Sequence, residues 1–422
     1  MAARTSSFAF KGRNADIQEI GRKLRVTTVL EGSVRRAAER LRVSAQLVNV
    51  ADGYPLWTDR FDRQMADIFD LQDEIAGSIV EALQGALFRT LGAPPAPAVR
   101  RATPDVEAYE LYLRGRHFLN QRIEGMWKSM EYYRRALERD PGFALAHAGV
   151  AEGNFLLTLY AAVPPRDGVP KAREAAHAAL ALDPTIAEAY VVLANAALWF
   201  DWNPPETLRL LDRAVALKPS DALALSCYGY YHAARGEFDE AVARVRQALE
   251  IDPLSMWAQS NLVVAFYLGR RFEEAVAQCQ AMIELNPAYS EAWRFLGLSL
   301  LHLGRTREAF EAIKQAVDRS QRNFWSLSNY GGMLARGGRV EEARAILAEL
   351  EERAKREYVP TFAMATLHYG LGDLDATFAL LDQSLEARDF WLVMLDADPG
   401  FDYLRRDPRY AALAARIRPA AG

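Results

Sequence analysis

Five stretches of this chain end alike. "RALERDP", "AALALDP", "AVALKP", "ALEIDP" and "MIELNP" close on Pro141, Pro184, Pro219, Pro253 and Pro287, separated by 43, 35, 34 and 34 residues. Each proline follows a run whose last turn carries Leu or Ile. Proline lacks the N–H that a helix needs and stops one there. A fixed period near 34 is the signature of stacked helical hairpins, none of which buries its apolar face alone. The feature fixes a mainly α chain built as an α-solenoid.

With Pro253 at position 32 of a 34-residue unit, units start at Glu188, Ala222, Met256, Ser290, Phe324 and Tyr358 without a slip. Counting backwards gives Glu110 and Ala144, for eight units, the second holding a ten-residue insertion. That insertion, "AAVPPRDGVP", reads as a surface loop. Position 20 holds Ser129, Ala172, Thr207, Ala241, Ala275, Ala309, Ala343 and Thr377. All are small, as close crossing of two helices requires. Position 8 is more mixed: His117, Ala151, Asn195, Gly229, Val263, Gly297, Gly331 and Ala365. The third unit reads "FDWNPP" where a glycine turn is usual, so a distorted hairpin is expected there.

The sixth unit's "WRFLG", with the small residue at position 20 and the closing proline, resembles the tetratricopeptide repeat. The resemblance covers about two thirds of the chain and implies a right-handed solenoid of about eight hairpins. In that family positions 2, 5, 9, 12 and 13 line the concave face. Mapped here they give Trp199 and Phe200, Tyr230, Trp257 and Tyr267, Arg294 and His302, Trp325 and Arg336, Phe362 and Tyr369. Trp, Tyr and Arg are enriched in binding surfaces, which suits a protein or peptide partner. Packing between neighbouring units is the competing reading for each of these residues. Members that clamp a peptide carboxylate use Lys and Asn at positions 5 and 9. Position 9 here is Phe118, Glu152, Ala196, Tyr230, Val264, Leu298, Gly332 and Thr366, so that clamp is missing.

The first hundred residues follow another pattern. Thr5 to Phe10 reads as a strand and Asn14 to Leu24 as a helix. Residues 25–62 read as a strand meander: Leu41, Val43, Ala45 and Leu47 alternate with polar residues, and "ADGYP" marks a turn. Residues 66–90 read as a helix with an apolar stripe of Ile68, Leu71, Ile75, Ile79, Leu83 and Leu87. "GAPPAPAVRRATP" reads as a semi-rigid linker. The run from "VLEGSVRR" to "DEIAGSIV" resembles the TolB-like (FlgO-like) domain of bacterial signalling proteins, and "FWLVMLDADPGFDYLRRDPRYAAL" resembles their tail. In those proteins the output is an adenylate or guanylate cyclase or a winged-helix DNA-binding domain. Their domain has a further strand and helix before the "RTSSF" strand. Two readings stay open: the chain is a fragment, or a partner strand completes its sheet. The expected division is a possibly truncated α+β domain at 1–91, a linker at 92–106, the solenoid at 107–389 and a capping tail at 390–422.

Nothing in the sequence assembles a reaction centre. Cys227 and Cys279 lie in helical patterns without metal spacing and read as buried thiols. "LEGSVRR" has one glycine and no phosphate-loop pattern, so it reads as strand rather than phosphate cradle. Asp396, Asp398, Gly400 and Asp402 approach a calcium loop, but Pro399 intrudes and the twelfth residue is Asp407, so they read as turn and cap carboxylates. His117, His147, His177, His232, His302 and His368 are scattered over separate units. No catalytic residue, cofactor site or metal site is assigned, and the chain is read as no enzyme. The net charge of −4 argues against nucleic-acid binding, although residues 1–42 carry ten Lys+Arg against four Asp+Glu, a local +6 that reads as a solvated face. No leader pattern opens the chain and no apolar run reaches about 18 residues, so no membrane contact and a cytoplasmic location are expected.

Overall fold

The fold is taken from a computed structural model, which describes all residues except 1–3, 13–14, 38–39, 65–70, 73, 80–101, 120, 122 and 418–422. The chain opens with α1 (Arg4–Phe8) and α2 (Ile17–Leu24), followed by β1 (Thr28–Ala37), β2 (Arg40–Asn49) and β3 (Pro55–Gln64). Among the described residues eight hairpins follow. They pair α3 (Val106–Leu119) with α4 (Ile123–Arg139), α5 (Ala144–Leu159) with α6 (Pro165–Leu182), and α7 (Ala187–Ala196) with α8 (Pro204–Leu217). Next come α9 (Ala222–Ala234) with α10 (Phe238–Ile251), and α11 (Met256–Leu268) with α12 (Phe272–Leu285). The last three pair α13 (Ser290–His302) with α14 (Thr306–Arg319), α15 (Phe324–Arg336) with α16 (Val340–Ala354), and α17 (Thr361–Leu371) with α18 (Leu374–Ala387). Three 3₁₀ turns (Phe390–Met394, Pro399–Phe401, Leu404–Arg406) and α19 (Arg409–Ile417) close the chain.

The hairpins have local causes. Asp221, Ser255 and Asn323 accept bonds from backbone N–H groups in the first turns of α9, α11 and α15, satisfying donors the helix cannot. Four inner turns end on a left-handed glycine, Gly236, Gly304, Gly338 and Gly372, with φ of 76°, 73°, 81° and 80°, while the second and fifth hairpins place Ala161 and Arg270 in that conformation at 54° and 59°. The third hairpin has no glycine there. Its first helix widens into a π turn (Ala197–Asp201), and Trp202 takes the left-handed conformation at φ 56°. All eight small residues at position 20, from Ser129 to Thr377, are 0–1% exposed. A Cβ added at Gly297 would collide with Ile313 across the same crossing.

Three expectations need correction. The segment expected to be a strand at Thr5 to Phe10 is helical from Arg4 to Phe8. Its state follows from docking: the Ser6 hydroxyl donates to Asp252 and accepts from Leu254 N (2.9 Å), in the turn between α10 and α11. The insertion in the second unit is not all loop. Residues 161–164 form the turn, while Pro165 opens α6, where proline fits because no N–H is needed there, and Pro170 lies inside that helix. The first hairpin starts at Val106, four residues before the expected Glu110. The meander expected over 25–62 is present as an antiparallel sheet in the order β1-β2-β3. Leu41, Phe61 and Leu71 form its small core, with Trp57 and Ile75 against it. Ile68, Leu83 and Leu87 of the expected stripe, and most of the expected linker, lie outside the described residues.

The array curves until its two ends meet. Ala161 in the second hairpin's turn packs on the cluster of Val317, Phe324 and Leu327. Arg166 bonds the Glu386 carbonyl. Trp202 joins the cluster of Phe362 and Phe401, and the Arg388 guanidinium sits 4.0 Å from its ring centroid.

Because the crossing leaves no room at position 20, Ala309→Leu should cost about 1–3 kcal/mol of stability, read by urea denaturation. An Arg344→Leu control on the exposed face of α16 should change stability by less than about 0.5 kcal/mol.

Candidate binding groove

The inner helices of the hairpins line one concave groove of about 2130 Å³. All ten residues singled out from the sequence lie on its wall. They are not equally available. Trp199, Tyr230, Tyr267, Arg294 and Phe362 are buried, Trp257, Trp325 and Tyr369 are half-buried, and His302 and Arg336 are exposed. Phe200 is absent from the lining and carries Arg173 on its ring instead.

Their burial has two sources. One is packing between repeats: Tyr230 lies 4.9 Å from Trp199 and 5.9 Å from Trp257, centroid to centroid. Arg294 pairs with Glu291 at 2.6 Å, donates to Asn329 at 3.3 Å and covers the Phe295 ring at 4.3 Å. His302 stacks on Phe272 at 4.7 Å, and Arg336 lies over Tyr369 at 5.0 Å. The other source is the chain's own carboxy-terminal segment, which enters the groove. Phe390 stacks on Phe155 at 5.5 Å and meets Trp199 at 6.1 Å. Asp398 accepts from Tyr267 Oη (3.2 Å), Trp391 Nε1 (2.9 Å) and Gly400 N (2.9 Å). Phe401 sits 5.4 Å from both Phe362 and Tyr369.

Sequence reading placed this segment as a cap and its carboxylates as turn residues. The "FW" pair and the spaced aspartates were the available signal. Nothing in a one-dimensional pattern says that they fold back inside the solenoid.

Electrostatics grade the groove further. Arg116 pairs with Glu152, and Lys218 reaches Glu188 at 2.7 Å and Asp221 at 3.1 Å. Burial alone would raise Glu188, but Lys218 beside it holds the carboxyl below its usual range. Burial pushes the Tyr267 hydroxyl well above its usual range, and Asp398 beside it adds to the rise. Tyr230 is pushed the same way by burial. The Cys227 thiol, accepting from Asn195 at 3.3 Å, is pushed up to about 12 by burial, which makes it a poor nucleophile. Among the described residues no group of three or more His, Cys, Asp or Glu could hold a metal ion. No helix among them is long and apolar enough to cross a membrane.

Comparison with known proteins follows the same lines. The family model of the tetratricopeptide repeat matches residues 203–256, 229–289, 260–324 and 296–357. A curated relative, putative adenylate cyclase 3 of Rhizobium meliloti (strain 1021), is 40% identical over 203 residues. That match spans 47% of this chain and 33% of the relative, so the chain covers about a third of that protein. Among solved structures, a tetratricopeptide repeat protein of Thermus thermophilus is 22% identical with a TM-score of 0.40, covering 46% of this chain and 99% of that one. Pseudomonas aeruginosa pilF is 18% identical with a TM-score of 0.36, covering 53% and 98%.

Tyr267 and Tyr230 stay protonated in the folded chain at a pH where the unfolded chain ionises them. Their contribution to stability is therefore full below about pH 10 and is lost as pH rises past it. Melting temperature should drop between about pH 9 and pH 11, and Tyr267→Phe should shrink that drop. A pH slope unchanged by the substitution would remove Tyr267 from the account.

Proposed function

We propose that this chain, whose residues 203–357 carry tetratricopeptide repeats, is a non-catalytic interaction scaffold that holds a protein or peptide segment on its concave face. The observation that carries the reading is the convergence of Trp199, Tyr230, Trp257, Tyr267, Arg294, His302, Trp325, Arg336, Phe362 and Tyr369 on one groove of about 2130 Å³. Pockets for small molecules run to about 300–1,000 Å³, so this volume suits a polypeptide segment better. Half-buried Trp257 and Trp325 have the exposure and chemistry of binding anchors.

A second reading is favoured by the 40% identity to putative adenylate cyclase 3. In it this chain is the regulatory part of a cytoplasmic signalling protein whose output is a cyclase or DNA-binding domain. Residues 1–91, with their antiparallel meander, then form a partial TolB-like domain beside the solenoid. The size of the native protein in its own cells, by immunoblot against the repeats, separates the two. A band near 47.2 kDa favours the scaffold and a much larger one the regulatory part.

A photo-crosslinking residue at groove-lining Met256 should form a polypeptide adduct in cells, and one at exposed Arg344 should not. Trp257→Ala should then weaken binding of the recovered partner about 30-fold, or about 2 kcal/mol. Adducts at Arg344 alone would sink the concave-face reading.

A further inference from the structure

Resting on the concave-face reading, we propose that the segment from Asp389 to Arg406 is a ligand supplied in cis. The face reads an aromatic pair followed by an aspartate, and a partner segment of that chemistry binds by exchange with the tail.

The tail does not continue the repeat. After Arg388, left-handed at φ 61°, the hairpin pattern gives way to short 3₁₀ turns. In a solenoid each repeat touches its neighbours alone. The tail instead reaches the inner helices of the second, third, fifth, sixth and eighth hairpins, through Phe155, Trp199, Tyr267, Phe295 and Phe362. These are contacts of the kind found at interface hot spots: stacked aromatics and a bidentate arginine. Arg270 holds Asp402 with two bonds of 2.6 and 2.7 Å.

The part of it that enters the groove is acidic, and Arg405, which follows, pairs with Asp402 and bonds the Leu395 and Asp398 carbonyls. Residues 389–402, DFWLVMLDADPGFD, contain four aspartates and neither Lys nor Arg. The wall that they face carries Arg270, and Arg336 lies exposed over Tyr369 beside Phe401. Asp398 ties the recognition together, because one carboxylate receives both the wall's Tyr267 and the tail's own Trp391. Trp391 is thereby fixed against the groove with a half-buried ring.

Four of the ten groove residues, Trp199, Tyr267, Phe362 and Tyr369, already contact the tail. A partner that uses them must exchange with it. Leu392, Met394 and Leu395 are fully buried, so the closed state dominates. A tethered segment competes at an effective concentration that reaches the millimolar range for short linkers. The apparent affinity of any competitor falls by the fraction of chains that are open.

The test uses the full chain and a fluorescein-labelled peptide of residues 389–402. Two tail variants leave the wall untouched: Trp391→Ala with Asp398→Ala, and Phe390→Ala with Phe401→Ala. Hydrogen exchange should rise over 389–406 while α11, α13 and α17 stay protected. The labelled peptide should bind each variant at least about tenfold more tightly than wild type. Adding Tyr267→Phe and Arg270→Ala should reverse the gain. A released tail without peptide binding overturns the proposal. Loss of protection throughout the solenoid overturns it too, since the tail is then core. So does a tail that stays protected in both variants. Adducts at Met256 that persist while the peptide fails would leave the scaffold standing and remove the cis ligand alone.

Discussion

The crossing of the two helices in each hairpin governs the rest of this molecule. At Ala241, Ala275, Ala309 and Ala343 nothing larger than a methyl separates them, and these residues are fully buried. Close approach brings the whole inner helix into contact with its partner. That leaves α11 buried along nearly all of its length, from Ala258 to Leu268. A helix buried this far around must be enclosed, and the inner helices of the hairpins on either side enclose it, with its buried Gln259 and Ser260 bonding the Pro253 carbonyl and Tyr289. Stacking then follows from burial, and curvature from repeated stacking.

Curvature has a consequence that no single repeat carries. The second hairpin comes back to the seventh through Ala161, and the third meets the tail through Trp202. The irregular places in the repeat serve this closure. The insertion supplies Ala161 and Arg166, and the glycine-free turn supplies Trp202. Buried polar groups fall along the same inner surface. Asp389 accepts from Thr361 Oγ1 (3.0 Å), Phe362 N (3.0 Å) and Ser384 Oγ (2.6 Å) at the point where the tail turns inward. A buried carboxylate with this many donors fixes one geometry, because any other arrangement leaves its charge unpaired.

Legibility followed the range of the cause. Six inner helices begin within one residue of the start that the proline register sets, among them those at Ala144, Ala222, Met256, Ser290 and Phe324. Five of the six follow a proline by three residues, and three carry a side-chain cap, at Asp221, Ser255 and Asn323. The meander was legible for the same reason: alternation along β2 buries Leu41, Ala45 and Leu47. The five residues of α1 were misread, because "RTSSF" has no strong local preference and Ser6 takes its partners from residues 252 and 254. Pro165 looks like a breaker in a list of residues, yet here it starts a helix, and Pro170 is carried inside it.

By itself the sequence determined the unit and its length, because period, proline and small residues act over one hairpin, while the inward side chains came with the resemblance, which put ten on the groove wall and missed at Phe200. Tertiary structure alone decided what those inward side chains meet. Trp199 faces the groove by its position in the repeat, but it meets Phe390 because the chain returns across nearly two hundred residues. Tyr267 likewise finds Asp398 only once the array has curved far enough to close. A periodic pattern encodes contacts between neighbours, whereas the filling of the groove depends on the summed rotation of eight hairpins.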